Sequence, residues 1–159
     1  GLVSSFIKGG DTVSTRMDVD GRVRFVAIAP PYEVRTADAR QVLPREVPLE
    51  CVAWQTGRAV AVVRALETGD FDLLSRACED RVHEPYRKHL IADYDQMRAS
   101  ALGAGASAFV ISGSGSTMLA VCDGDETAAA VAKAAESIRG DLWVRCVGAS
   151  ATGVVVERL

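Results

Sequence analysis

The spacing of hydrophobic positions changes several times along the chain, and each change predicts a new element of secondary structure. Apolar and small residues recur at steps of three and four from Leu49 to Leu66, and Gly69 follows where a helix should end. This pattern predicts a long and largely buried helix. Short apolar runs between turn residues predict strands instead. The predicted strands are 2–7, 12–18, 22–29, 110–111, 118–121, 142–147 and 153–157.

Capping and stop residues predict further helices. In segment 34–44, Thr36 can act as an N-cap and Pro44 ends a helix of about two turns. Asp70 precedes a second amphipathic helix. The remaining predicted helices are 71–80, 94–102 and 126–138.

The order of these elements predicts the fold class. Asp20–Gly21 is the strongest short turn signal, and it predicts a hairpin between 12–18 and 22–29. The later chain has two strands joined by a hairpin, then a crossover helix and a further strand. This order is typical of an α+β fold, with a ferredoxin-like antiparallel sheet and helices packed on one face.

The connection Gly113-Ser-Gly-Ser116 lies between two apolar runs and consists only of small residues. Gly113 and Gly115 can adopt positive φ, so successive N–H groups can converge on an anion or on a neighbouring loop. An ordinary glycine-rich hairpin turn is the alternative interpretation.

Composition excludes several classes of function. Of the 159 residues, 48% are hydrophobic and 25% are charged, and the net charge is −3. This composition is typical of a soluble, cytoplasmic globular protein, and it favours neither nucleic acid nor a membrane as a partner. The four cysteines form no C-x-x-C pair, so we expect buried, reduced thiols and no metal site.

Two arginines are the best candidates for ligand binding. Arg40 lies in the short capped helix, and Arg87 lies in a polar segment restrained by Pro85. The planar guanidinium pairs with a carboxylate through two parallel hydrogen bonds, so two arginines at one pocket could hold an amino acid. A surface position or a structural ion pair is the alternative for each arginine. His83 and Glu84 could form an acid/base pair, but they are interpreted as polar loop residues, since adjacent side chains rarely face each other.

Three segments together resemble a known family. They are Thr36-Ala-Asp-Ala-Arg-Gln-Val-Leu-Pro44, Asp80-Arg-Val-His-Glu-Pro-Tyr-Arg87 and Ile111-Ser-Gly-Ser-Gly-Ser-Thr117. In order and separation they resemble the C-terminal half of homoserine kinases, which belong to the GHMP small-molecule kinase superfamily. The resemblance implies ATP-dependent phosphorylation of the side-chain hydroxyl of L-homoserine, a step of threonine biosynthesis. It also suggests a homodimer.

The resemblance also implies roles for individual residues. Arg40 and Arg87 would bind the homoserine carboxylate, and Thr36 would lie near the reactive end of the substrate. The segment Gly113, Ser114 and Gly115 would shape the nucleotide site. No residue of this stretch is implied as catalytic. Residues 1–30 would be strands that continue from a missing N-terminal ATP-binding domain, and 31–159 would be the GHMP kinase C-terminal domain.

The chain departs from the family pattern in two ways. Ser116 stands where the family usually has proline after the second glycine, which would stiffen the loop. The Gly-Leu-Gly-Ser-Ser loop and the His-x-Asp-Asn segment of the N-terminal half do not occur. ATP and Mg²⁺ would be held mainly by that missing half, so this stretch alone is expected to be inactive. The chain starts at Gly1, and we expect it to be part of a longer protein.

Three other functional hypotheses are consistent with the sequence. One is another GHMP kinase, acting for example on mevalonate or a sugar. Another is a non-catalytic module that binds an amino acid, and the third is a structural ferredoxin-like interaction domain.

Overall fold

The computed structural model describes residues 1–153 and 155–157. The described residues form a two-stranded hairpin, a four-stranded sheet and the helices around it. In chain order the elements are β1 (Leu2–Lys8), β2 (Asp11–Met17), β3 (Val23–Ala29), α1 (Thr36–Gln41), α2 (Leu49–Thr68), α3 (Phe71–Ala77), α4 (Glu84–Arg87), a 3-10 turn (Lys88–Leu90), α5 (Tyr94–Gly103), β4 (Ala108–Ile111), β5 (Met118–Asp123), α6 (Gly124–Ile138) and β6 (Trp143–Gly148).

The four-stranded sheet has the order β4-β5-β3-β6, and every neighbouring pair is antiparallel. This is the ferredoxin-like arrangement, in which the first strand of the motif lies inside the sheet. The predicted α+β class and its antiparallel ferredoxin-like sheet are confirmed. Strand β3 lies within residues 1–30 and pairs with β5 and β6, so the sheet includes one strand from that segment.

Alternate side chains of the sheet enter two separate clusters. Val26 and Ile28 of β3 pack with α5 and α6 on one face. Val23 and Phe25 point the other way, toward the C-terminal end of α2 and toward α3. The period-two alternation of a strand produces this division. Helices α5 and α6 therefore cover one face, and α2 and α3 add a second helical layer against part of the other.

The predicted hairpin between 12–18 and 22–29 is wrong, because β2 pairs with β1. Lys8 pairs with Asp11 across the reversal at Gly9–Gly10. Asp20 does form a turn, and its carboxylate accepts the amide of Arg22 at 2.8 Å. That turn leads from one sheet into the other. Strand β3 is apolar on both faces, so it lies inside the larger sheet and not in a solvated hairpin.

The prediction that the long helix is largely buried is also wrong. Helix α2 ends at Thr68 with Gly69 in the left-handed C-cap conformation, as predicted. Its fully buried residues are only Ala65 and Leu66. Leu49 at the other end is 83% exposed. Its C-terminal end packs against the sheet and α3, whereas Leu49, Val52 and Val60 are exposed among the described residues.

Smaller corrections concern termini and thiols. Arg35, not Thr36, is the N-cap of α1, and its guanidinium pairs with Asp38 at 2.8 Å and 2.9 Å. Among the described residues of 153–157 there is no strand, and residue 154 lies outside the described residues. All four cysteines are free, but Cys146 is exposed and only Cys122 is fully buried. No helix in the described ranges is long and apolar enough to cross a membrane.

Candidate functional site

A cavity of about 240 Å³ opens where α4 meets the end of β4 and the glycine–serine loop. Its walls combine two acidic side chains, a histidine, an arginine and two aliphatic residues. The lining residues are Asp80, His83, Glu84, Arg87, Val110, Ile111 and Gly113. A small concave site with few polar groups on an apolar base is typical of a binding site for a small molecule.

Local sequence explains why α4 forms at this wall. The carboxylate of Asp80 accepts the amides of Val82 at 2.6 Å and His83 at 2.8 Å, which organises the turn before the helix. Pro85 lies in the first turn, where its missing N–H costs nothing. The four-residue helix then places Glu84 and Arg87 three positions apart, on the same side.

Arg87 is held by two backbone carbonyls. Its Nε donates to the carbonyl of Ala39 at 3.2 Å, and its Nη1 donates to the carbonyl of Gly113 at 3.0 Å. No carboxylate in the described ranges lies within ion-pair distance of this guanidinium. A guanidinium carries five N–H donors, so three remain. Arg87 therefore presents to the cavity a guanidinium that has no ion-pair partner in the described ranges, which suits a carboxylate ligand.

Glu84 contributes a carboxylate, of opposite charge to Arg87, to the wall of the cavity. Its carboxylate lies 3.8 Å from Nε of Arg98. Burial raises the pKa of Glu84, although Tyr94 and Arg98 beside it favour the ionised form.

Burial, with the nearby Glu84 charge, also raises the pKa of the Cys78 thiol to about 11, so this thiol is not nucleophilic at neutral pH.

The sequence pattern predicts His83 and Glu84 to be loop residues and gives no sign that Asp80 belongs to a site. The structure places all three in the cavity wall. The signal that could have identified them is the spacing of Asp80 before Val82 and His83, because an aspartate that caps a proline-containing turn fixes the following side chains.

The glycine–serine loop is a closed turn. The amide of Gly115 donates to the carbonyl of Ser112 at 3.0 Å, and the amide of Ser112 donates to Thr117 at 2.9 Å. Gly115 has φ of +87°, and a Cβ there would lie 3.0 Å from Cδ1 of Ile91. The close approach therefore requires glycine. Within the described part of the chain, the amides of Gly113 and Ser114 have no acceptor, so the loop can offer these two donors to an anion.

Ser116 connects the glycine–serine loop to the segment before α1. It is buried, and its hydroxyl donates to the backbone carbonyl of Tyr32. The hydroxyl of Tyr32 in turn accepts the amide of Ala92 at 2.8 Å. These bonds attach the loop to the segment before α1 and to the turn before α5. A side-chain hydrogen bond thus restrains the loop at Ser116.

The structure brings together some of the predicted site residues. Arg87 and Gly113 share the cavity wall and a hydrogen bond. The hydrogen bond from Arg87 to Ala39 connects the cavity wall to α1. Thr36 and Arg40 lie in this helix about one turn apart. Thr36 and Arg40 are both exposed, and neither they nor the Ser114–Gly115 pair lines the cavity.

Comparison with known families identifies this architecture. The sequence model described as GHMP kinases C terminal matches residues 62–140. The chain carries a GHMP kinase C-terminal domain. The matched segment includes α4, the cavity wall and the glycine–serine loop. It does not reach α1.

Relatives of this GHMP domain are homoserine kinases. The homoserine kinase of Clostridium kluyveri is 37% identical over 126 residues, which are 79% of this chain and 42% of that protein. The enzyme of Thermus thermophilus is 42% identical over 118 residues, 74% of this chain and 40% of that protein. A crystal structure of homoserine kinase from Cytophaga hutchinsonii superposes with a TM-score of 0.79 at 29% identity, covering 86% of this chain and 44% of that one. The chain thus spans about two fifths of the length of the curated relatives it matches.

Proposed function

We propose that this chain is the C-terminal part of an ATP-dependent homoserine kinase, and that it supplies much of the acceptor site. The observation that carries the proposal is the guanidinium of Arg87, which has no carboxylate partner in the described ranges and lines a cavity of about 240 Å³ beside the glycine–serine loop. The identity of 37% and 42% to homoserine kinases supports the same substrate.

Each predicted residue has a physical task in this proposal. Arg87 and Arg40 bind the carboxylate of L-homoserine, and Thr36 lies near its hydroxyl. Gly113, Ser114 and Gly115 shape the nucleotide site, where the free amides of the loop favour negative charge. Phosphoryl transfer depends mainly on positioning and on stabilisation of charge, so residues that orient the acceptor contribute to rate without reacting.

ATP and Mg²⁺ are assigned mainly to the other part of such an enzyme. In the part of the chain that the structure describes, no three histidine, cysteine or acidic side chains cluster as a metal site. This chain alone is expected to show no transfer of phosphate from ATP to homoserine.

Isothermal titration calorimetry of L-homoserine against the chain and its Arg87→Lys variant tests the proposal. Loss of a bidentate, charge-assisted interaction is expected to weaken binding by about 1.5–3 kcal/mol, which is tenfold or more. Arg81→Lys is the matched control, because it is the same substitution in the same segment. The guanidinium of Arg81 stacks on Trp54, 4.1 Å from the ring centroid, and does not line the cavity. Equal affinity in all three proteins would contradict the assignment of Arg87.

In an enzyme that contains this chain, Arg87→Lys is expected to raise KM for homoserine. An unchanged KM would exclude Arg87 from the acceptor site. A substrate panel of homoserine, mevalonate and a sugar then separates homoserine kinase from other GHMP kinases, since these acceptors differ in their carboxylate and amine groups.

A further inference from the structure

We propose that Arg87 is a positioning residue that couples occupancy of the cavity to the conformation of the glycine–serine loop and of α1. This inference rests on the proposed function, in which the carboxylate of the acceptor binds Arg87. It adds that the same guanidinium transmits acceptor binding to the loop that shapes the nucleotide site.

The geometry behind the inference is one side chain shared by three segments. Arg87 belongs to α4, and its two hydrogen-bond acceptors lie 48 and 26 residues away in the sequence. Both acceptors are backbone carbonyls, so a shift of the guanidinium acts directly on the backbone. Ala39 is fully buried, which fixes the α1 end of this connection, whereas Gly113 is exposed.

Sharing of one guanidinium provides the coupling, because a ligand carboxylate can use the N–H donors that the two carbonyls leave. A bond between a guanidinium and a carboxylate is charged on both sides and is frequently bidentate, unlike a bond to a single backbone carbonyl. A carboxylate in the cavity therefore changes the balance of forces on Arg87 and so on the carbonyls of Gly113 and Ala39. Any anion held by the amides of Gly113 and Ser114 would then bind with an affinity that depends on whether homoserine occupies the cavity. By thermodynamic linkage, the anion would change the affinity for homoserine by the same factor.

Backbone NMR of the ¹⁵N-labelled chain tests this coupling directly. During titration with L-homoserine, the amides of Val110 and Ile111 report occupancy of the cavity. The amides of Ser114, Gly115 and Val42, which do not line the cavity, report the coupled segments. All five are expected to shift with one dissociation constant. With 2-amino-1,4-butanediol, which replaces the carboxylate by a hydroxymethyl group, only the first two are expected to shift.

Arg87→Lys, with Arg81→Lys as the control, gives a second readout without ligand. Amide hydrogen exchange at Gly115 in the loop and at Val42 after α1 is expected to become about two- to tenfold faster in Arg87→Lys, as for loss of one hydrogen bond. Arg81→Lys should leave both rates unchanged. A purely local role of Arg87 in α4 would change neither site.

The outcomes distinguish this inference from the proposed function. If homoserine shifts the amides of Val110 and Ile111 but not those of Ser114, Gly115 and Val42, the coupling is wrong and the acceptor site stands. If homoserine shifts none of them, the acceptor site is wrong. In that case unchanged exchange at Gly115 and Val42 in Arg87→Lys overturns the positioning role as well, and faster exchange at both supports it.

Discussion

The four-stranded sheet and the β1–β2 hairpin are built from similar β-forming residues, but they differ in what covers them. Phe109 of β4 is 2% exposed and packs against Tyr94 with ring centroids 5.6 Å apart. Phe6 of β1 is 58% exposed. Both phenylalanines lie in regular antiparallel strands. Strand formation therefore does not show whether a strand contributes to the core.

The hairpin is apolar on both faces. Phe6 pairs with Val13 on one face, and Val3 and Ile7 lie on the other. All four are exposed. A two-stranded hairpin is marginally stable alone in water, since it buries little apolar surface. We therefore expect the two regions to respond very differently to the same substitutions.

The largest expected difference is between Phe109→Ala and Phe6→Ala. Removing the buried ring of Phe109 should lower the free energy of unfolding by about 3–5 kcal/mol, because it loses transfer free energy and leaves a cavity. Phe6→Ala should cost less than about 1 kcal/mol. Urea denaturation followed by circular dichroism measures both values.

The two variants serve as controls for each other, because they make the same chemical change in a strand. Equal losses of stability would show that the hairpin is as well packed as the sheet in solution. A loss for Phe109→Ala below that for Phe6→Ala would reverse the comparison.

The next largest effect is expected at the tight turns. Gly115→Ala should destabilise the chain by about 1–3 kcal/mol, because a non-glycine residue is strained at φ of +87° and its Cβ would crowd Ile91. Gly9 in the hairpin turn has φ of +62°, and a Cβ added there would meet open space. Gly9→Ala is therefore strained in its backbone but not crowded. Its backbone strain should affect only local opening of the hairpin, since stability is not uniform across a structure.

Thermal unfolding and native-state hydrogen exchange separate these two glycine variants. Gly115→Ala should lower Tm, whereas Gly9→Ala should increase exchange only within 2–17. A drop in Tm for Gly9→Ala as large as that for Gly115→Ala would mean that the hairpin unfolds together with the sheet.

A helix cap gives a smaller and local test of the packed region. The side chain of Asp70 accepts the amide of Leu73 at 2.9 Å and caps α3. Asp70→Ala should cost about 1 kcal/mol, while Asp70→Asn should cost only part of it. Equal stability of Asp70→Ala and the unmodified chain in urea denaturation would show that α3 does not need its cap.

The sequence predicted most elements because their signals are local. Gly69 ends α2, Asp70 caps α3, and the glycine–serine loop joins β4 to β5, each as expected. The pairing of β2 and the burial of α2 were not predictable in this way. Both depend on which apolar surface meets which partner, and the periodicity of one segment carries no such information.

The candidate site shows the same division. Arg87 was selected from its residue type and the motif, and the structure gives it two backbone acceptors and a place in the cavity wall. The carbonyl groups of Ala39 and Gly113 could not be selected from sequence, because every residue has one. Asp80 and Glu84 were missed since their roles depend on the turn before α4, which forms only when Pro85 and the cap act together.

The smallest expected effect is a pH dependence that belongs to the packed region alone. Burial raises the pKa of Glu84 in the folded chain, so the unfolded chain ionises at lower pH than the folded one. The contribution of Glu84 to stability is therefore full below the ordinary pKa of a glutamate and is lost as pH rises toward the raised value. Glu84→Gln cannot ionise and lacks this loss.

The difference in unfolding free energy between Glu84→Gln and the unmodified chain should thus shift in favour of the variant as pH rises through that interval. The variant also loses the ion pair of Glu84 with Arg98, but at 3.8 Å this pair is weaker than the burial effect. Asp11→Asn at the exposed tip of the hairpin is the matched control, since it removes the same charge away from the core. Urea denaturation at a series of pH values measures the unfolding free energy of both variants and of the unmodified chain. A difference that does not change with pH for Glu84→Gln would mean that water reaches this carboxylate as freely as it reaches the hairpin.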